Sequence, residues 1–114
     1  MLPPDYVIGR VIMQLEDARE YQDVFGINFY KSIKHSTDLL NVFYQSSNLH
    51  KDLISLISDG LEKTLKSKKY KPARSQVNAL IYAFECLKKK EISALNLEDV
   101  AQKFVKTGIL CADH

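Results

Sequence analysis

The residues able to do chemistry are few, and none of them sits in a catalytic pattern. Histidine is the usual acid–base group near neutral pH. His35, His50 and His114 fall within a helix pattern, at a helix start and at the chain end, without a local partner motif. His35 and Asp38 are three apart and can share a helix surface, a contact worth a few tenths of a kcal/mol. Cys111 and His114 make a Cys-x-x-His ending, but structural zinc takes four ligands and no second Cys/His cluster exists to complete the set. Cys86 lies inside an apolar pattern and reads as a small hydrophobe. Glu16, Asp17, Glu20 and Asp23 gather around Arg19 with no glycine-bearing calcium loop, so they read as a solvated helix face. Gly9, Gly26, Gly60 and Gly108 are too scattered for a phosphate-cradling loop. No catalytic, cofactor-binding or metal-binding residue is assigned, and the sequence predicts a protein that is not an enzyme.

Charge is distributed unevenly. Residues 1–60 hold 8 acidic and 5 basic side chains, whereas 61–114 hold 6 acidic and 11 basic. The densest cluster is Lys63, Lys66, Lys68, Lys69, Lys71 and Arg74; a second run is Lys88-Lys89-Lys90. The two should sit at opposite ends of one helix, about 20 to 25 Å apart at a rise of about 1.5 Å per residue. Lys66, Lys68, Lys69, Lys71 and Arg74 are the candidates for contact with an anionic surface, such as a membrane. Nucleic-acid recognition usually adds base-reading arginines or exposed aromatics beside such a basic surface, so nucleic acid is not the expected partner and a nucleic-acid-binding module is a lesser alternative.

These charges must be positioned by helices, because apolar residues recur three and four apart almost throughout. Val7, Ile8, Val11, Ile12, Leu15 and Ala18 form a first stripe beginning near Asp5 as N-cap, with a short strand over residues 6–12 as the rival reading. Gly26 marks a break. Phe29, Tyr30, Ile33, Leu40, Phe43 and Tyr44 form the second stripe, ending in the polar segment at residues 45–48. Ser47 or Asn48 can cap a third helix with Leu49, Leu53, Leu56, Ile57, Gly60, Leu61 and Leu65 on its face. Gly60 on that face implies close approach of a neighbouring helix, since an unpacked helical glycine costs about 1 kcal/mol relative to alanine. Pro72 suits the first turn of a fourth helix running to about Lys90. Asn96 followed by Asp99 resembles a cap for a last helix with Leu97, Val100, Ala101, Phe104 and Val105 inward, stopped by Gly108.

The fourth helix is apolar nearly all round. Val77, Leu80, Ile81, Phe84 and Leu87 make one stripe, and Ala79, Tyr82, Ala83 and Cys86 another. Such a helix is either enclosed by neighbours or exposes a binding surface, which makes Tyr82 and Cys86 candidate partner-binding residues. After Gly108, the short apolar segment Ile109-Leu110-Cys111 must either dock on the body or stand exposed as a recognition tail.

At 114 residues, 46% hydrophobic and 26% charged, the chain is expected to form one domain over residues 1–114. Short connections favour an all-α, antiparallel up-and-down four-helix bundle with a short fifth helix. The N-terminal residues lack a signal-peptide pattern, and two cysteines cannot frame a disulfide scaffold, so a cytoplasmic, reduced protein is expected.

The layout from about Leu15 to Leu110, with the segment Leu53-Ile54-Ser55-Leu56-Ile57-Ser58-Asp59-Gly60-Leu61, a basic connection, a proline-started helix and a short final helix, resembles the immunity proteins of class IIa (pediocin-like) bacteriocins. The resemblance implies a small cytosolic bundle that protects a producer cell from its own membrane-permeabilising peptide at the cytosolic side of a sugar-transporter receptor. Specificity would reside in the C-terminal region. By position that points to residues 104–114, and makes Phe104, Ile109 and Leu110 further candidate partner-binding residues. The Pro3-Pro4 start and the separated lysine clusters have no counterpart in the family pattern. A protein partner is expected, homodimerisation is compatible with these features, and an adaptor domain of a larger assembly is the alternative function.

Overall fold

Proline at the very start of a helix loses nothing, because the first amides have no intrahelical acceptor. Helix α1 accordingly spans Pro4–Glu20, with Pro3 as N-cap and Asp5 in the first turn. The Pro3 carbonyl accepts from the Tyr6 and Val7 amides at 3.1 and 3.2 Å. The computed structural model describes residues 3–21, 27–43, 48–67 and 73–111. Four further helices follow: α2 (Ile27–Phe43), α3 (Asn48–Lys66), α4 (Arg74–Leu87) and α5 (Ala94–Lys106). No strand occurs among the described residues. The expectations placed on Gly26, Tyr44, Ser47 and Pro72 fall outside them, as do Lys68, Lys69 and Lys71.

The buried faces come from these stripes, although not every stripe residue is buried and Ile12 is only partly so. Val7, Ile8, Val11, Leu15 and Ala18 of α1 are buried, which the alternating faces of a strand could not achieve. In α2, Phe29, Tyr30, Ile33 and Leu40 are buried, and Thr37 fills the gap between the last two. Its hydroxyl donates to the Ile33 carbonyl at 2.8 Å, which satisfies a polar group in an apolar setting. The buried residues of α3 are His50, Leu53, Ile54, Ile57, Gly60, Leu61 and Thr64. Leu56, expected on the inner face, is only partly buried, as are Leu49 and Leu65.

Eight of the fourteen residues of α4 are buried. The reason is its neighbourhood: α4 packs against α1, α3 and α5, and its exposed positions include Asn78 and Glu85. The second apolar stripe is therefore enclosed by other helices. The most extensive helix pairs are α1 with α4 and α2 with α3.

Helix boundaries differ from expectation at several places: α1 is capped by Pro3 rather than Asp5, and α4 starts only at Arg74, with Ala73 as N-cap. α4 ends at Leu87 rather than near Lys90, because the Lys88 and Lys89 amides turn back to the Glu85 and Cys86 carbonyls at 3.2 and 3.1 Å. The His50 Nε2–H then donates to the Lys89 carbonyl at 3.1 Å. This turn lets Ile92 become buried before the next helix starts. α5 is capped by Ser93 rather than Asn96. The Ser93 hydroxyl accepts from the Asn96 amide at 3.3 Å, and the Asn96 side chain accepts from the Ser93 amide at 3.0 Å. Asn96 thus occupies the third helical position of a reciprocal cap, and Asp99 is left for another role.

Candidate functional site

Three helix ends meet at one pole of the molecule: the C-termini of α3 and α5 and the N-terminus of α4. Lys63 Nζ donates to the Gly108 carbonyl at 2.9 Å, and Gln76 Nε2 donates to the Thr107 carbonyl at 3.1 Å. Both bonds satisfy carbonyls that the end of a helix leaves without partners. Gly108 has φ +82°, a conformation open to glycine at little cost. It reverses the chain so that the Ile109 and Leu110 amides reach the Phe104 carbonyl at 2.8 and 3.0 Å. Ile109 then lies over Gly60, where a Cβ would stand 2.5 Å from Ile109 Cγ2. The glycine is required by this C-terminal segment, whereas Phe104 of α5 would meet the added carbon at an ordinary contact distance of 3.4 Å.

Two clefts flank Thr107. One, of about 360 Å³, is lined by Lys63, Thr64, Ser67, Gln76, Thr107 and Gly108. The other, of about 260 Å³, is lined by Ser75, Asn78, Ala79, Lys103, Lys106 and Thr107. Lys66 and Arg74 are exposed at the adjoining ends of α3 and α4. The sequence-derived anionic-contact residues that are described thus lie at this pole, and the tertiary structure adds Lys103 and Lys106 from α5. Lys88, Lys89 and Lys90 are exposed at the far end of α4.

The predicted partner-binding residues fare differently. Cys86, Phe104, Ile109 and Leu110 are all buried within the chain, the most accessible of them at 4%. In this conformation they supply core rather than surface, because α5 and the segment after Gly108 cover one another and the α3–α4 side. The tail docks. Tyr82 is half-buried, and its hydroxyl donates to Asp99, whose other oxygen accepts from Lys103 Nζ at 3.3 Å. The Lys103 ammonium also stands 4.7 Å from the Tyr82 ring centroid. The hydrogen bond to Asp99, then burial, pushes the Tyr82 phenol above its ordinary range. The same bond, then that from Lys103, holds the Asp99 carboxyl below the usual carboxylate value. This cluster joins α4 to α5.

Opposite its buried Val100 and Phe104, α5 presents Leu95, 75% exposed, and Val105, 36% exposed. A shallow cleft of about 410 Å³ is lined by Glu98, Ala101, Gln102, Val105 and Lys106. Val105 was expected to face inward. The stripe turns away because Val100 and Phe104 already fill the inner face. Leu95, Glu98, Gln102 and Val105 fall at helical spacings of three and four, a periodicity that could have marked an outer face in the sequence.

The other sequence candidates stay apart. Asp38 pairs with Lys34 at 2.8 Å rather than with His35, which is exposed. Arg19 donates to Asn78 on α4 at 3.2 Å instead of remaining among the α1 acids. Cys111 is exposed and free, and its Cys-x-x-His partner, His114, lies outside the described residues. No group of three potential metal ligands occurs among the described residues. Compared with known proteins, the chain matches no family model, no curated sequence and no solved structure.

Proposed function

We propose that this chain is a non-enzymatic protein-binding module whose recognition surface is the outward face of α5. The observation that carries the reading is the exposure of Leu95 and Val105 on a helix whose other side is firmly anchored. Large exposed apolar side chains gain the most from being covered by a partner. The anchors are Val100, Phe104, the Ser93 cap and the Tyr82–Asp99 bond. A helix so fixed loses little freedom on binding, which favours affinity.

The specific form of the proposal is a cytoplasmic bacteriocin immunity protein acting at a membrane receptor complex. The adjacency of α1 with α2, α2 with α3, α3 with α4 and α4 with α1 supports an antiparallel four-helix ring carrying α5 as a peripheral helix. None of the described helices is long and apolar enough to cross a membrane, so contact with the receptor would be peripheral. Specificity in the C-terminal region then belongs to the exposed residues of α5 and not to the buried Phe104, Ile109 and Leu110.

The test is expression in a bacteriocin-sensitive host. Wild-type protein should protect, and Leu95→Asp with Val105→Asp should abolish protection while leaving the helical circular dichroism and thermal transition intact. Full protection by the folded double variant would remove the α5 face from the proposal. Absence of protection by the wild type against a panel of class IIa peptides would replace immunity with the adaptor reading.

A further inference from the structure

The basic pole is more than a charged end. Its cations come from three helices that meet only in the folded chain; Lys63, Lys103 and Lys106 line two clefts there, and no carboxylate is among the described residues lining either cleft. Lys66, Arg74 and Lys106 make no ion pair with another described residue. Lys103 is shared with Asp99. Residues 63–74 contain six basic side chains and no acidic one.

The donors also remain under-used. An ammonium carries three protons and an amide two. Lys63 commits one to Gly108 and Gln76 commits one to Thr107, so each retains capacity. The first-turn amides of α4, between the two clefts, have no intrahelical acceptor. Ser75 and Thr107 add hydroxyls and Asn78 an amide to the second cleft. Ammonium groups with neutral donors around a small concavity match the tetrahedral, multiply accepting oxygens of phosphate.

We propose that the two clefts flanking Thr107 form a binding site for a phosphate group, carried by a soluble phosphomonoester or by a phospholipid headgroup. Lys63 and Gln76 are the principal contacts in the first cleft and Lys106 in the second, with Arg74 nearby at the start of α4. The site shares Lys106 with the cleft on the outer face of α5, but its other contacts lie outside that cleft, and it does not depend on the identity of a protein partner. Lys88, Lys89 and Lys90 serve as an internal control, since they concentrate charge at the opposite end of α4.

The experiment is a titration of the full chain with inorganic phosphate, followed by amide chemical shifts. Saturable shifts should centre on Ser75, Gln76, Thr107 and Gly108. The exposed-site double variant Arg74→Gln with Lys106→Gln should weaken binding about tenfold or more, the scale expected for losing charge-assisted bonds. Lys88→Gln with Lys89→Gln and Lys90→Gln should leave it within about twofold, since that end offers no comparable contacts. Sedimentation with phosphatidylcholine vesicles, with and without phosphatidic acid, distinguishes the sources. Binding that needs phosphatidic acid and is competed by phosphate assigns the headgroup, whereas saturable phosphate binding without vesicle binding assigns a soluble ligand. Equal losses in the two variants, or shifts spread over both ends of α4, would reduce the site to unspecific surface charge and overturn the proposal. So would binding of a short oligonucleotide without any response to phosphate.

Discussion

Helices α4 and α5 follow one another and are nearly equal in length, 14 and 13 residues, yet eight residues of the first are buried and only two of the second. α4 is held by apolar burial on several sides. α5 has a narrow inner face and relies on additional local fastenings: a reciprocal cap at Ser93, the Tyr82–Asp99–Lys103 cluster and the segment turned back by Gly108. A central helix is thus insensitive to any one polar contact. A peripheral helix can keep an apolar outer face exposed because its attachment does not consume that face.

The comparison breaks most sharply at Phe84, fully buried on α4. Phe84→Ala should cost about 3 to 5 kcal/mol in urea unfolding, from lost transfer energy plus the cavity left behind. Val105→Ala on α5 should change stability by less than about 0.5 kcal/mol, as surface substitutions commonly do. Equal effects would erase the distinction between the helices. Next in size is Ile109→Ala, expected to cost about 2 to 4 kcal/mol because the side chain is 2% exposed. A loss below about 0.5 kcal/mol, the range of surface positions, would show that the tail does not dock in solution.

Gly60→Ala sharpens the same contact. The added Cβ would stand 2.5 Å from a γ-methyl of Ile109, a β-branched side chain with little rotamer freedom. Overpacking of about 1 to 3 kcal/mol should outweigh the gain in helix propensity of about 1 kcal/mol. In the Ile109→Ala background the sign should reverse, toward neutrality or slight stabilisation. A double-mutant cycle with no coupling would separate Gly60 from the tail. Ser93→Ala should cost about 1 kcal/mol, the common value of a lost N-cap, and its effect on amide exchange should concentrate in α5.

The smallest expected effect is on pH dependence. The Asp99 carboxyl is held low in the folded protein by Tyr82 and then Lys103. Its contribution is therefore present above the unfolded carboxyl value near 3.8 and is lost as pH falls through the lower folded value. Asp99→Asn should flatten that acid limb, read as faster exchange in α5 at low pH in the wild type only. The Tyr82 phenol, held up by Asp99 and then burial, acts in the opposite direction: its contribution is full below the ordinary phenol range and declines as pH rises through its higher folded value. Unaltered acid sensitivity in Asp99→Asn would detach the cluster from the anchoring of α5.

Much of this architecture is written in local periodicity. The face of α1 is readable from Val7 to Ala18, and the all-round apolarity of α4 announces a helix that is either enclosed on several sides or exposes a binding surface, between which the burial of eight of its residues decides. Gly60 on an apolar stripe signals a close approach, although not that Ile109 makes it. Thr37 and His50 escape such a reading because their burial depends on bonds to a preceding carbonyl and to Lys89. The cap of α5 is misplaced by three residues because Ser93 and Asn96 each suit an N-cap, and the burial of Ile92 just before Ser93 accompanies the earlier start.

By itself the sequence determined the helical class, most of the inner faces of α1 and α4 and the two separated lysine clusters, because apolar spacing and charge are local properties of the chain. Only the tertiary structure decided which apolar residues remain outside. Phe104, Ile109 and Leu110 look like a recognition tail until α3 and α4 supply the surface that buries them, and Leu95 and Val105 stay uncovered because that same surface is then full. Tertiary structure likewise joined Lys103 and Lys106 to a basic end encoded some thirty residues earlier. Burial and charge clustering depend on which neighbours occupy the limited space around each helix, and a linear pattern does not contain that competition.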